Sequence, residues 1–343
     1  MENFFEHNTD ACQEFDCNAS PLRGEGGPKG RGRVTEPTSS TESSRKTTGG
    51  TPVGRMGETP MLRQGRKLNR RGFLAGAAAA AATLTILKPS LVRGTEANSK
   101  IELGIIGCGG RGQWIANLFA DHGGYQIVSC GDYFDDRVKA MGDKHKIDEA
   151  RRHTGLSNYK KVLAGKLDAV AIISPPYFHP EQAAAAVAAG KHVYIAKPIA
   201  VDVPGCMTIE SAGKQATEKK LVFLVDFQTR ANEFYQEAVK RALNGDLGRL
   251  VSGTSEYYCG LAFGTELPAD VDGRLRKWQM DKVLSGDIIT EQNIHTLDVC
   301  SWIADAQPLT AVGTGGRKLR KGDNVIFDHF NLVFEYPDEL AVS

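Results

Sequence analysis

At 343 residues the chain has room for two domains, and its 41% hydrophobic and 24% charged residues match an ordinary globular protein able to bury a sizeable core. A formal net charge of +1 gives no global attraction to nucleic acid or to an anionic membrane surface, so neither is expected as a partner. The 7 cysteines stand singly, with no CxxC pair and no metal-ligand spacing, so neither a disulfide framework nor a metal site is expected.

Residues 1–60 are rich in Gly, Ser, Thr, Pro and charge. Such a segment buries too little surface to offset the entropy of ordering, and is expected to be disordered or a mis-assigned extension ahead of a start at Met56 or Met61. Residues 61–97 read as an export signal. Arg63, Arg66, Lys67, Arg70 and Arg71 form a basic region without acids, and Asn69-Arg70-Arg71-Gly72-Phe73-Leu74 is similar to the twin-arginine motif. An uncharged, alanine-rich run from Gly72 to Leu87 follows, with Thr95-Glu96-Ala97 as a small-residue cleavage site. That run falls short of the roughly 20 residues that cross a bilayer, so export through the twin-arginine machinery, to the periplasm or beyond, is expected over a membrane anchor.

Residues 98–228 follow a doubly wound α/β pattern. Ile101 to Ile106 is an apolar strand, Gly107, Gly109 and Gly112 form a turn, Gln113 to His122 a helix, and a second strand ends at Asp132. Each part has a task in gripping a dinucleotide. The first glycine turns the chain off the strand, the second admits the pyrophosphate to backbone N–H groups, and the third lets helix and strand pack closely. The helix N-terminus faces the phosphates, and a carboxylate at Asp132 bonds the adenosine ribose. Gly110 and Arg111 complete the phosphate-binding turn. The carboxylate favours NAD over NADP because it repels a 2′-phosphate; Arg137 is the nearby cation that bears on the same choice.

The pattern continues with a helix from Asp135 to Lys146, an apolar strand from Leu167 to Ser174, the loop Ser174-Pro175-Pro176-Tyr177-Phe178-His179, and a helix from Pro180 to Ala189. A strand from His192 to Ala196 ends at Lys197-Pro198, before a helix from Pro204 to Lys219, a strand from Leu221 to Asp226 and a helix from Ala231 to Asn244. Residues 229–343 change character. Leu250 to Cys259 and Asn324 to Tyr336 alternate apolar with polar residues, as antiparallel strands of a second, α+β domain do.

Ligands of an open α/β sheet lie outside the carboxyl ends of its strands. Pro198 keeps Lys197 extended, so its side chain projects from a strand tip, where it can stabilise the alkoxide character that develops as hydride leaves carbon. In Gly286-Asp287-Ile288-Ile289-Thr290-Glu291-Gln292-Asn293-Ile294-His295-Thr296-Leu297-Asp298, helical spacing would put Glu291, His295 and Asp298 on one face, with a carboxylate orienting a histidine base.

Together GIIGCGGRG, Asp132, SPPYFHP, GKHVYIAKP and GDIITEQNIHTLD resemble the Gfo/Idh/MocA family of sugar dehydrogenases and oxidoreductases over residues 100 to 343. The resemblance implies a Rossmann domain followed by a mainly antiparallel α+β domain, here cut short, which often pairs into homo-oligomers. It implies catalytic roles for Lys197, His295 and Glu291, a cofactor lying along Ser174, Pro175 and His179, and Gln228 on its nicotinamide side. Two departures stand out: the family's Glu-Lys-Pro is Ala196-Lys197-Pro198, removing a charge beside the cofactor, and its Asp-x-Gly-x-His is Glu291-x-Asn293-x-His295. The expected activity is NAD-dependent hydride transfer at a secondary hydroxyl of a sugar or polyol. Glycoside cleavage by transient oxidation and elimination, or a non-catalytic sugar-binding scaffold, would use the same parts.

Overall fold

Apolar, β-branched segments separated by helices build the first sheet in the computed structural model, which describes residues 100–260 and 263–343. The extension and export signal read from the sequence lie outside the described residues. Strands β1 (Ile101–Ile106), β2 (Tyr125–Asp132), β3 (Arg152–Thr154), β4 (Ala169–Ile172), β5 (His192–Ala196) and β6 (Phe223–Asp226) form a 6-stranded parallel sheet in the order β3-β2-β1-β4-β5-β6. The order reverses between β1 and β4, so the crevice of a doubly wound fold opens at their carboxyl ends. Helices α1 (Gly110–Asp121), α2 (Asp135–His145), α3 (Asn158–Ala164), α4 (His179–Ala188) and α5 (Val203–Glu218) pack around it. Two buried clusters, one around Ile106, Val170, Ile172 and Ile195 and one around Leu103, Ile105, Ile115 and Met141, account for the continuous apolar runs of β1 and β4.

Strands β1 and β5 and the end of β2 fall where the sequence put them; other boundaries move. Helix α1 begins at Gly110 rather than Gln113, because the glycine turn itself coils into the first helical turn. The expected helix from Ala231 starts instead at Glu233 and ends at Leu243 (α6), where the Asn232 side chain accepts from Phe234 N–H at 3.0 Å and Tyr235 N–H at 3.3 Å.

The second sheet has 4 strands, in the order β7 (Ser252–Gly253), β10 (Ala341–Val342), β9 (His329–Glu335), β8 (Thr310–Gly316). β8, β9 and β10 are antiparallel neighbours, and β7 joins β10 in parallel. Two expectations need correction. The alternation from Leu250 to Cys259 yields a strand of only 2 residues, and the strand expected from Asn324 begins at His329, because Arg317, Arg320 and Asp328 fold the preceding loop on itself. β8 gave no strand signal, since its sequence TAVGTGG carries three glycines.

Candidate functional site

Every segment of the site issues from a strand end. After β1, Gly107 takes φ +96°, and a Cβ there would lie 2.5 Å from the Ile173 carbonyl carbon. A Cβ at Gly112 would lie 1.9 Å from the Gly107 carbonyl oxygen, so close packing of turn against helix requires glycine at both places. Around Gly110, by contrast, a Cβ would meet nothing within 4 Å. Gly109 is the N-cap without a side-chain cap, and the first helical bond runs from Gln113 N–H to the Gly109 carbonyl at 2.9 Å. The amides of Gly110, Arg111 and Gly112 precede that bond and face outward with the positive end of the helix dipole, a donor set suited to a pyrophosphate.

At the end of β2, Asp132 is buried and braces this turn: Oδ2 accepts from Cys108 N–H at 2.7 Å and Oδ1 from Phe134 N–H at 3.0 Å. The Phe134 ring carries the guanidinium of Arg137 at 4.8 Å and that of Arg276 at 3.9 Å. Arg276 also bonds Asp136 at 3.0 and 3.2 Å, and Tyr133 donates to Asp272 at 3.0 Å, so the segment Val271–Arg276 closes against the ribose end of the crevice.

The reactive end gathers Arg111, Lys197, Asp226, Glu291 and His295. Lys197 follows β5 directly, beside a cis Lys197–Pro198 peptide, and is buried. Its Nζ donates to the Glu291 main-chain carbonyl and stands 3.4 Å from Glu291 Oε1. Burial disfavours both charges, lowering the Lys197 pKa and raising that of Glu291, while each opposes the other's shift. Glu291 belongs to a π-helical turn, Ile289–Asn293, that opens helix α7 (Ile294–Ala304). His295, on the first turn of α7, stacks on Tyr257 at 6.3 Å and meets the Phe227 ring edge-on at 6.4 Å. Burial first, then Lys197 and Arg111, push its pKa down to about 4, which leaves a neutral imidazole at physiological pH. Glu291 Oε2, His295 Nδ1 and Arg111 Nε are all buried without a hydrogen-bond partner in the protein, and so remain available to a ligand.

The structure thus brings Lys197, Glu291 and His295 to one place, near the turn that holds Gly107, Gly109, Gly110, Arg111 and Gly112. It revises other roles. Asp298 does not orient His295; both its oxygens are taken by Arg230, at 2.8 and 2.9 Å. Glu291 turns to Lys197, and the imidazole is held by aromatic rings instead. His179 does not lie along the crevice. It is 1% exposed, with Nδ1 2.8 Å from the Pro198 carbonyl and Nε2 2.7 Å from the Ser174 carbonyl, so it ties the loop after β4 to the turn after β5. Ser174 spends its hydroxyl on Gln182 at 2.6 Å, Pro175 caps the short turn Pro176–Phe178, and Gln228 is an exposed residue at the start of the short helix Gln228–Ala231. Sequence reasoning missed Asp226, which ends β6 and pairs with Arg111. Its place at a strand tip, the same signal that found Lys197, was there to be used.

Comparison with known proteins fits this geometry. Residues 101–227 match the model of the Gfo/Idh/MocA oxidoreductase family, described as an NAD-binding Rossmann fold. The inositol 2-dehydrogenase of Burkholderia lata is 29% identical over 206 residues, 59% of this chain and 54% of that protein. The chain spans about half the length of the curated relatives it matches. Among solved structures, the fold is similar to that of scyllo-inositol dehydrogenase from Lactobacillus casei with bound NAD(H) and scyllo-inositol, with TM-score 0.55, 20% identity, and 71% of this chain and 68% of that one covered. It is also similar to the WlbA dehydrogenase from Bordetella pertussis in complex with NADH and UDP-GlcNAcA, with TM-score 0.58, 21% identity, and 71% and 70% covered. Over residues 101–227 the chain is thus similar to the NAD-binding Rossmann domain of the Gfo/Idh/MocA oxidoreductases.

Proposed function

We propose that this chain is an NAD-dependent oxidoreductase acting on a secondary hydroxyl of a sugar or polyol. The observation that carries the reading is the meeting of Lys197, Glu291 and a neutral His295 at the carboxyl edge of the sheet that also carries the glycine turn. The first-turn amides of α1 and Arg111 would hold the pyrophosphate, and Asp132 the ribose. When bound, NAD supplies the hydride acceptor. His295 takes the hydroxyl proton, since its imidazole is neutral and one ring nitrogen is unpartnered. Lys197 donates to the same oxygen as negative charge grows on it. Glu291 holds the ammonium at the strand tip and keeps a positive charge tolerable in a buried place. Inositol and sugar-nucleotide dehydrogenases among the relatives support the substrate class.

The reading is tested by mixing the purified protein with NAD and a panel of inositols and aldoses and following NADH absorbance. NADH formed with at least one polyol, and none when Lys197 is Met, supports it; no turnover with any polyol and no nucleotide bound would remove it. Export through the twin-arginine route, which carries folded proteins with their cofactor, is part of the same proposal and rests on the Arg70-Arg71 motif. Because free NAD is scarce outside the cytoplasm, that motif also favours a closed redox cycle in which an aryl glycoside is cleaved with no net NADH. Including such a glycoside in the panel separates the two.

A further inference from the structure

Ala196 stands where the resembling family has a glutamate, yet the structure does not leave the place without a negative charge. In the parallel register of β5 and β6, Ala196 is paired with Asp226, and partnered residues on adjacent strands send their side chains to the same face. The Asp226 side chain is 12% exposed and accepts from Arg111 of the glycine turn, an ion pair that joins the ends of β1 and β6 across the intervening strand tips. Tyr194, two residues before Ala196 on the same face, has its hydroxyl pKa raised by burial first and then by the negative charge of the same carboxylate. Arg111 is further fixed by the Trp114 ring at 5.3 Å, while its buried Nε has no partner.

We propose that Asp226 is a positioning residue of this site, supplying from the neighbouring strand the negative charge that Ala196 lacks and balancing Arg111 beside Lys197. The inference rests on the oxidoreductase reading and extends it. The charges that bear on Lys197 from the packed elements are Glu291 and Asp226, which favour the ammonium, and Arg111, which opposes it; burial opposes it most. His295 is subject to the same Arg111 and Asp226. With Asp226 neutralised, Arg111 would act on Lys197 without the opposing carboxylate and would hold a phosphate without competition from it. Nucleotide should then bind better while the lysine loses its proton at lower pH.

The test compares the wild type with Asp226→Asn and Asp226→Glu. NADH dissociation constants are measured at low and high salt, and the alkaline limb of kcat/KM is followed with whichever polyol turns over. Asp226→Asn is expected to bind NADH about three- to tenfold more tightly, with a steeper salt dependence, and to lose activity at lower pH, while Asp226→Glu keeps wild-type behaviour in both. A residue that merely supported the fold would give weaker binding and an unmoved limb. Unchanged or weakened NADH binding by a folded Asp226→Asn overturns the inference; the binding arm alone decides it where no polyol is turned over. Failure of the wild type to bind NADH removes the oxidoreductase reading as well, which is a different outcome.

Discussion

The two sheets of this chain are buried to different degrees. In the parallel sheet, Leu103, Ile105, Ile106, Val170, Ile172, Val193 and Ile195 are all at or below 2% exposure, because helices cover both faces. In the second sheet, β8 is exposed along most of its length and β9 alternates exposed with half-buried residues, with Val312 at 70%. The difference decides what each region can hold still. Lys197 and the glycine turn follow strands β5 and β1, whose side chains are locked, so their positions follow from the core, while Asp226 ends the half-buried edge strand β6 and is fixed by Arg111. Glu291 and His295 come from the second region but not from its sheet; the π turn and α7 hold them, tied to the first region by Lys197–Glu291 and to the neighbouring short helix by Arg230–Asp298.

The comparison can be broken most forcefully at the site. His295→Asn should lower kcat/KM by about 10²–10⁴, the range for loss of a general base, with NADH binding and melting temperature little changed. If the melting temperature collapsed instead, His295 would be serving as a packing residue of the second region. Next in size is Ile105→Ala in the closed sheet, expected to cost about 2–5 kcal/mol in denaturant unfolding. Gly112→Ala should cost about 1–3 kcal/mol and abolish measurable NADH binding, since its Cβ would meet the Gly107 carbonyl oxygen at 1.9 Å. Val312→Ala, on the open strand β8, should stay within about 0.5 kcal/mol. Equal losses at Ile105 and Val312 would show that the two sheets are equally buried in solution.

Acid should sharpen the same contrast. His179 and His295 both have pKa values lowered to about 4 by burial, so the unfolded chain takes up protons first. The stability they contribute is fully present above the ordinary histidine value near 6.5 and is lost as pH falls toward 4. The melting temperature is therefore expected to drop by several degrees across that window, by less in His295→Asn, and the acid limb of kcat/KM to lie well below pH 6.

Much of the first region was legible in the sequence because its signals are local. An apolar run, three glycines at fixed offsets and a carboxylate at a strand end can be read one after another, and β1, the end of β2 and β5 fell where those signals put them. Lys197 was legible because the proline after it fixed its backbone. What stayed hidden is held by contacts between distant positions. Asp226 meets Arg111 across 115 residues, and His179 is drawn inward by the carbonyls of Ser174 and Pro198 rather than toward the crevice. Helical spacing offered Glu291 and Asp298 as carboxylates to orient His295, with Glu291 assigned to assist it, whereas Arg230 claims Asp298 and a π turn directs Glu291 to Lys197. In the second region the three glycines of β8 hid a strand that only its pairing with β9 supports.

The central claim is that a dinucleotide lies across the glycine turn with its reactive ring delivered to Lys197 and His295. The most direct test is a crystal structure of the protein with NADH and a polyol. The account predicts the pyrophosphate on the first-turn amides of α1 and the nicotinamide beside the Lys197 ammonium, with a polyol hydroxyl within hydrogen-bond reach of both Lys197 and His295. Density for NADH elsewhere, or a nicotinamide remote from Lys197, would contradict it.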